Sequence, residues 1–419
     1  MNPLAAAFAA WSVLCSPRRD REALEQLQQR KLRRVVRHAA QHVPYYRRLF
    51  NGAGVDPESI RLPQDLLRVP VTTKRDLQNA GSGAFSDFYR PDELVSHRTT
   101  GSTGEPMTMR FDRDFERMRR LAFLRALLAA GYRPGERMLM LKPGDPGRAA
   151  RWTGIQSVRF DESPPDLLKG IAQFRPHVLY GWVTPIRELA LHVRNSCGRV
   201  EGLRTVITTA ESLDRPTRGL FAATFGADVY DVYGLTEMGT IAWECSRHAG
   251  LHLSEDIALI DRVESGGESP MIMTSLELTA MPLIRYQTGD VAGAPDAEPC
   301  ACGRVFHRIP QVSGRMVDCL RLPGGGLLSP YSVTLALESI PGLARFQVLQ
   351  EQTGALLVRY ESSVEAAAMH VPDAIRNALG ALVGYHTRIE VRLENSINPP
   401  AGRKFRVVES RFRPPGAAS

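Results

Sequence analysis

The stretch between residues 138 and 232 constrains the fold most. Apolar runs at 138–141, 178–180, 206–208 and 229–232 alternate with helical patterns at 165–174, 186–193 and 215–225. Short apolar runs between amphipathic helices read as strands covered on both faces, so this order requires a parallel or mixed β-sheet with helices packed against it. The fold class is α/β. Ligands in such sheets sit beyond the carboxyl ends of the strands. The polar clusters that follow those strands, 208–212 and 233–237, are therefore the first places to look for chemistry.

Around this centre the pattern is more varied. Residues 20–50 carry helical periodicity through Leu24, Leu27, Leu32, Val35, Val36 and Ala39, and the periodicity ends at His42-Val-Pro-Tyr-Tyr46. A helix is expected to start at Thr72 or Thr73, a strand at 107–111 and a helix at 113–130. Residues 253–292 read as antiparallel strands with turns at 264–268 and 287–290. Beyond them, 327–338, 346–350, 355–360, 372–383 and 387–393 form a small α+β unit. The chain of 419 residues exceeds the size at which one core stops growing. The expected division is a large N-terminal domain of mixed sheets flanked by helices, 1–317, and a small mobile α+β domain, 318–419.

The net charge of +8 suits nucleic acid, an acidic partner or anionic small molecules, yet no basic helix is interleaved with aromatic residues, so nucleic acid is not the expected partner. Six cysteines in so long a chain do not make a disulfide scaffold; they fit a reducing cytosol, and a cytoplasmic location is expected. The apolar opening, residues 1–15, has its charges Arg18, Arg19 and Asp20 after it, where a signal peptide needs them before. It also falls short of the ~20 residues of a membrane span. A docking helix without stable membrane insertion is the reading; a homodimer is left open.

Two constellations carry chemistry. Thr99, Thr100, Gly101, Ser102, Thr103 and Gly104, followed by Glu105 and Pro106, combine two glycines that free the backbone with four hydroxyls. Such a loop can wrap a polyphosphate, although an ordinary surface loop has the same composition and the Gly-x4-Gly-Lys-Ser/Thr pattern is absent. Cys245, His252, Cys300 and Cys302 offer three thiols and an imidazole, which suit a tetrahedral structural Zn²⁺. His248 is an alternative ligand, and buried free cysteines are the alternative to a metal.

Taken with Tyr233-Gly-Leu-Thr-Glu237, Arg285-Tyr-Gln-Thr-Gly-Asp290, Gly314-Arg315 with Asp318, and Lys404 in Gly402-Arg-Lys-Phe-Arg406, the chain resembles the phenylacetate-CoA ligase family of adenylate-forming ligases and its capsular-polysaccharide-associated relatives. The resemblance runs nearly the whole length and includes His42-Val-Pro-Tyr-Tyr46. It implies attack of a carboxylate on the α-phosphate of ATP. In that scheme the 99–106 loop holds the leaving phosphates. Tyr233 stacks on adenine, Thr236 donates to the α-phosphate and Glu237 holds Mg²⁺. Asp290 accepts the ribose hydroxyls, Arg315 sits near the ribose or phosphates, and Asp318 is the hinge, although Val317 fills a position that is often aspartate. Lys404 neutralises charge at the adenylating phosphate. Thr209, Ala210 and Glu211 line the adenine and acyl pockets.

Tyr180, Gly181 and Trp182, with Thr184 and Pro185 opening the next helix, are expected to shape the acyl pocket, and the rings of Tyr180 and Trp182 favour a flat aryl acid over a long fatty chain, an ordinary core position being the equal alternative for them. Residues 142–165 look abbreviated relative to the family. The activity implied is AMP-forming ligation of an aromatic or related carboxylic acid to CoA. Transfer to an amine, sugar or carrier protein is the alternative. A zinc-stabilised nucleotide or nucleic-acid binder without catalysis is the second.

Overall fold

The computed structural model describes residues 11–16, 20–99, 106–142, 154–196, 198–261, 269–322, 327–362, 370–397 and 405–412, excepting the side chains of Val317 and Tyr331. The chain forms two compact units, one of Met1–Pro134, Tyr230–Thr288 and Ala292–Gln311, the other of Gly135–Val229, Gly289–Val291 and Val312–Ser419.

In the first unit, helix Arg21–His42 is capped by Asp20, whose side chain accepts the Ala23 N–H. The periodicity expected to run to residue 50 is interrupted at Val43, which takes an extended backbone before Pro44 opens a second helix, Pro44–Gly52. Proline disfavours a helical residue before it and tolerates the first helical position itself, so the break is local chemistry. Leu32, Val35, Val36 and Ala39 join Tyr46 and Phe50 in one core with Ile60, Leu66, Val69 and Ile284. Helix Lys74–Ala80 starts on a Thr73 capping box. Strand Thr108–Phe111 pairs antiparallel with Val95–Arg98, and helix Arg113–Ala129 follows.

The turn expected at 287–290 is not there. Tyr286–Ala292 is a single strand. Thr72 donates its N–H to the Arg285 carbonyl (2.9 Å) and accepts the Gln287 N–H (2.9 Å), while Thr288 Oγ1 donates to the Met271 carbonyl (3.1 Å). Cross-strand bonds outweigh the local turn preference of Thr-Gly-Asp, and Gly289 absorbs the irregularity at φ +83.

The second unit contains the parallel sheet expected from the alternation. Met138–Lys142 pairs parallel with Ile155–Arg159 on one side and with Val178–Trp182 on the other, and the last pairs parallel with Thr205–Thr209. Helices Pro164–Phe174, Val183–Asn195 and Arg215–Phe225 supply Leu167, Ile171, Ile186, Leu189 and Phe221 to its core. The C-terminal α+β part has its own core: strands Leu343–Gln350, Leu356–Ser362, Ile389–Leu393 and Val408–Ser410 with helices Pro330–Leu337 and Val371–Val383 bury Val333, Leu337, Val348, Val358, Ile375 and Leu379 together.

Candidate functional site

Thr99 is buried: its N–H donates to the Met107 carbonyl (2.9 Å), and its Oγ1 accepts the Met107 N–H (2.9 Å). Thr100, Gly101, Ser102, Thr103 and Gly104 lie outside the described residues, as does Lys404.

The 233–237 cluster was expected beyond a strand. Tyr233 to Leu235 instead belong to the strand Asp228–Leu235, and only Thr236, Glu237 and Met238 form the connection to the antiparallel strand Gly239–Glu244. The Met238 N–H bonds the Leu235 carbonyl, and Gly239 takes φ +82. This is a tight hairpin with its glycine where left-handed backbone is required. It also replaces the helix start that a Thr followed by Glu can signal. Glu237 Oε1 lies 3.5 Å from the Tyr286 hydroxyl.

In the other unit, Tyr180, Gly181 and Trp182 end their strand as expected. Trp182 stacks on Phe160 with centroids 4.7 Å apart, and a Cβ on Gly181 would meet the Leu141 side chain at 2.8 Å. Trp182 is the N-cap of helix Val183–Asn195 but gives it no side-chain bond. Glu211 supplies one: its Oε2 accepts the Thr184 N–H at 2.6 Å. A carboxylate at a helix N-terminus satisfies an orphan donor and opposes the macrodipole. Local sequence could not reveal this cap, because Glu211 comes 27 residues after its partner. Ala210 beside it has φ +68, a strained backbone for a residue with a Cβ.

Asp290 and Arg315 approach to 3.9 Å. Asp318 is buried, and that burial pushes its carboxyl up to about 6 although Arg406 Nη1 stands 3.2 Å away and opposes the shift. Arg406 as the partner of the expected hinge was not legible in the sequence.

The metal constellation comes together within the first unit. Ligand atoms of Cys245, His252, Cys300 and Cys302 all lie within 4.8 Å of one another. Cys245 Sγ is 3.9 Å from Cys300 Sγ, and Cys302 Sγ is 3.3 Å from His252 Nε2. His252 Nδ1 lies 3.1 Å from the Phe306 carbonyl, which can only accept, so the proton sits on Nδ1 and Nε2 presents its lone pair to the sulfurs. Burial lowers this imidazole to about 4 and raises the Cys245 thiol to about 11. His248 is not part of the cluster; it lies against Tyr230 at 4.7 Å and 3.5 Å from Glu244. The alternative ligand is thereby corrected: His248 turns away at φ +48 just after Cys245, while His252 is fixed in a strand that pairs with Arg308–Ile309.

The phenylacetate-coenzyme A ligase of Thermus thermophilus is 30% identical to this chain over 362 residues, covering 80% of each. The chain belongs to the phenylacetate-CoA ligase family. Ligases of the same description from Aromatoleum evansii and Escherichia coli are 28% and 27% identical, the latter over 93% of this chain and 95% of its own. No protein-family model matches the chain. Among solved structures, the family fold is shared with 2-hydroxyisobutyryl-CoA ligase in the postadenylation state in complex with 2-HIB-AMP, with TM-score 0.80, 21% identity and coverage of 95% and 92%. The structure of that enzyme in complex with 2-HIB-AMP and CoA in the thioesterification state gives 0.64 at 22% identity. No described helix is long and apolar enough to cross a membrane.

Proposed function

We propose that this protein is an AMP-forming carboxylate-CoA ligase acting on an aromatic or related small acid. The observation that carries the reading is the match to phenylacetate-CoA ligases over four-fifths of both chains, with the expected polar residues standing at strand ends and strand connections. A carboxylate oxygen of the acid attacks the α-phosphorus of ATP, the bond to the β-phosphate oxygen breaks, and pyrophosphate leaves. The CoA thiolate then attacks the acyl carbon and AMP departs.

Each residue has a role in this scheme. Thr99 anchors the loop whose backbone and hydroxyls take the leaving phosphates. Tyr233 stacks on adenine, Thr236 donates to the α-phosphate, Asp290 accepts from the ribose with Arg315 beside it, and Lys404 neutralises charge as the phosphoryl group transfers. Glu237 presents one carboxylate, which suits Mg²⁺, an ion that takes few protein ligands and keeps waters and phosphates. Tyr180, Gly181 and Trp182 wall the acyl pocket, with Ala210 and Glu211 at the next strand end. A side chain at position 181 would collide with Leu141, so only glycine fits at this strand end. Residues 318–419 act as the small mobile domain hinged at Asp318. Cys245, His252, Cys300 and Cys302 suit a closed four-ligand Zn²⁺ site, which clamps these segments together and performs no chemistry.

Carboxylate-dependent exchange of labelled pyrophosphate into ATP, measured without CoA across aryl, aryl-acetic and short aliphatic acids, tests the reading. Exchange with one acid class, followed by thioester formation when CoA is added, is the expected result. Silence across the panel would overturn it, and exchange with transfer only to amines would replace CoA as the acceptor.

A further inference from the structure

Within the first unit, one side chain of helix Arg113–Ala129 meets both the strand pair 95–98 with 108–111 and the hairpin that carries Thr236 and Glu237. Arg119 places its guanidinium 4.7 Å from the centre of the buried Phe111 ring. Its stem lies against Gly239. A Cβ at that glycine would stand 3.0 Å from Arg119 Cγ and 3.2 Å from Nε, and the backbone there has φ +82, so neither the space nor the conformation admits a side chain. The arginine therefore packs directly on the residue that closes the hairpin.

The head of this side chain is tied in place. Arg119 Nη1 donates to Glu116 Oε1 at 2.8 Å, and His97 Nε2 stands 2.8 Å from the same oxygen. The His97 ring in turn lies 5.1 Å from that of Phe111. Arg119 Nε, by contrast, is buried and has no acceptor among the described residues. A buried donor left unpaired costs stability, and native proteins keep few of them. An apolar side chain of similar length would pack on Phe111 and Gly239 without that cost, so packing alone does not account for an arginine here. What the arginine adds is a fixed direction, through Glu116, to the strand that carries His97 and runs on to Thr99.

We propose that Arg119 is a positioning residue for the hairpin at 236–239, with Glu116 and His97 as its anchor, so that Thr236 and Glu237 are held in fixed relation to the strand pair 95–98 and 108–111. This inference rests on the proposed roles of Thr236 and Glu237 in adenylation. Arg119 touches no substrate in this scheme; it acts through the hairpin.

The test uses Arg119→Met, which keeps the stem and loses the bond to Glu116, Glu116→Ala, which removes the anchor, and Arg119→Lys, which keeps a cation for Glu116. A small misplacement of a catalytic group costs up to about 10²-fold, so Arg119→Met and Glu116→Ala are expected to lower kcat for pyrophosphate exchange about tenfold or more, with KM for the carboxylic acid little changed. Arg119→Lys is expected to recover most of the loss. Backbone hydrogen exchange gives a readout independent of turnover. The Met238 amide, which bonds the Leu235 carbonyl, and its neighbours at 236–240 should exchange faster in Arg119→Met than in the parent, with Arg119→Lys between them. Unchanged pyrophosphate exchange in both disruptive variants of an active parent would overturn the inference, as would a loss that only follows the melting temperature and is not recovered by Arg119→Lys. A parent silent with every acid would count against the proposed function instead, and the hydrogen-exchange arm would still decide this one: unaltered protection at 236–240 overturns it.

Discussion

His252 holds its Nε2 3.3 Å from Cys302 Sγ while its other ring nitrogen is committed to a backbone carbonyl, so the imidazole is oriented as a ligand before any cation arrives. Fixing tautomer and ring plane in this way is the usual support given to a metal-bound histidine. The purified protein is expected to contain about one zinc per chain, measured by elemental analysis, and Cys300→Ser or Cys302→Ser to lose it. Chelation should lower stability by about 4 kcal/mol, the linkage for free zinc a thousandfold above Kd. A purified protein that holds no zinc, takes none up when it is added and melts identically with and without chelator would remove the assignment.

Lys404→Ala is expected to lower pyrophosphate exchange by about 10²–10³-fold, the usual cost of losing a group that stabilises transition-state charge. Equilibrium ATP binding should remain near that of the parent. Exchange at the parental rate in this variant would show that another cation serves the step.

The bonds to the ribose proposed for the Asp290 carboxylate are charge-assisted, worth about 1.5–3 kcal/mol, and Asp290→Ala removes them. An increase in KM for ATP of about tenfold or more is expected, with kcat less affected. Because Arg315 stands 3.9 Å from this carboxylate, Arg315→Ala combined with Asp290→Ala should cost less than the sum of the two. Strict additivity would separate their roles.

The Asp318 carboxyl is raised from 3.8 to about 6 by burial. The buried neutral form therefore contributes stability that is fully present below 3.8 and is lost as pH rises through about 6. Relative to Asp318→Asn, the parent should lose up to about 3 kcal/mol between those limits and then run level. Urea melts at several pH values would show it; parallel profiles would mean that Arg406 offsets the burial completely.

Tyr46 is buried, and its hydroxyl accepts the Ile284 N–H at 2.9 Å. Tyr46→Phe leaves that buried donor unsatisfied at a cost of about 1–3 kcal/mol. Because Ile284 leads into the strand that carries Asp290, KM for ATP should rise in step with the loss of stability; a destabilised variant with parental KM would show that the brace does not reach the nucleotide.

Patterns that repeat over short range were legible in the sequence. The apolar runs between 138 and 232 called for a parallel sheet with helices on its faces because burial on both faces leaves few polar positions, and the strands and helices fall where that argument puts them. Family motifs singled out Tyr233, Glu237, Asp290 and Arg315, and residue type alone singled out Cys245, His252, Cys300 and Cys302, which the fold brings together. What only the tertiary structure decided are the relationships between residues far apart in the chain. Tyr286–Ala292 is a strand because Thr72, more than two hundred residues earlier, bonds to both sides of Tyr286. His252 rather than His248 joins the three cysteines because strand pairing orients one ring and a left-handed turn removes the other. Glu211 caps a distant helix, and Glu116 joins Arg119 to His97 on a separate strand. In each case the deciding free energy is a hydrogen bond or a desolvated charge satisfied across the fold, and local propensity carries no information about such a partner.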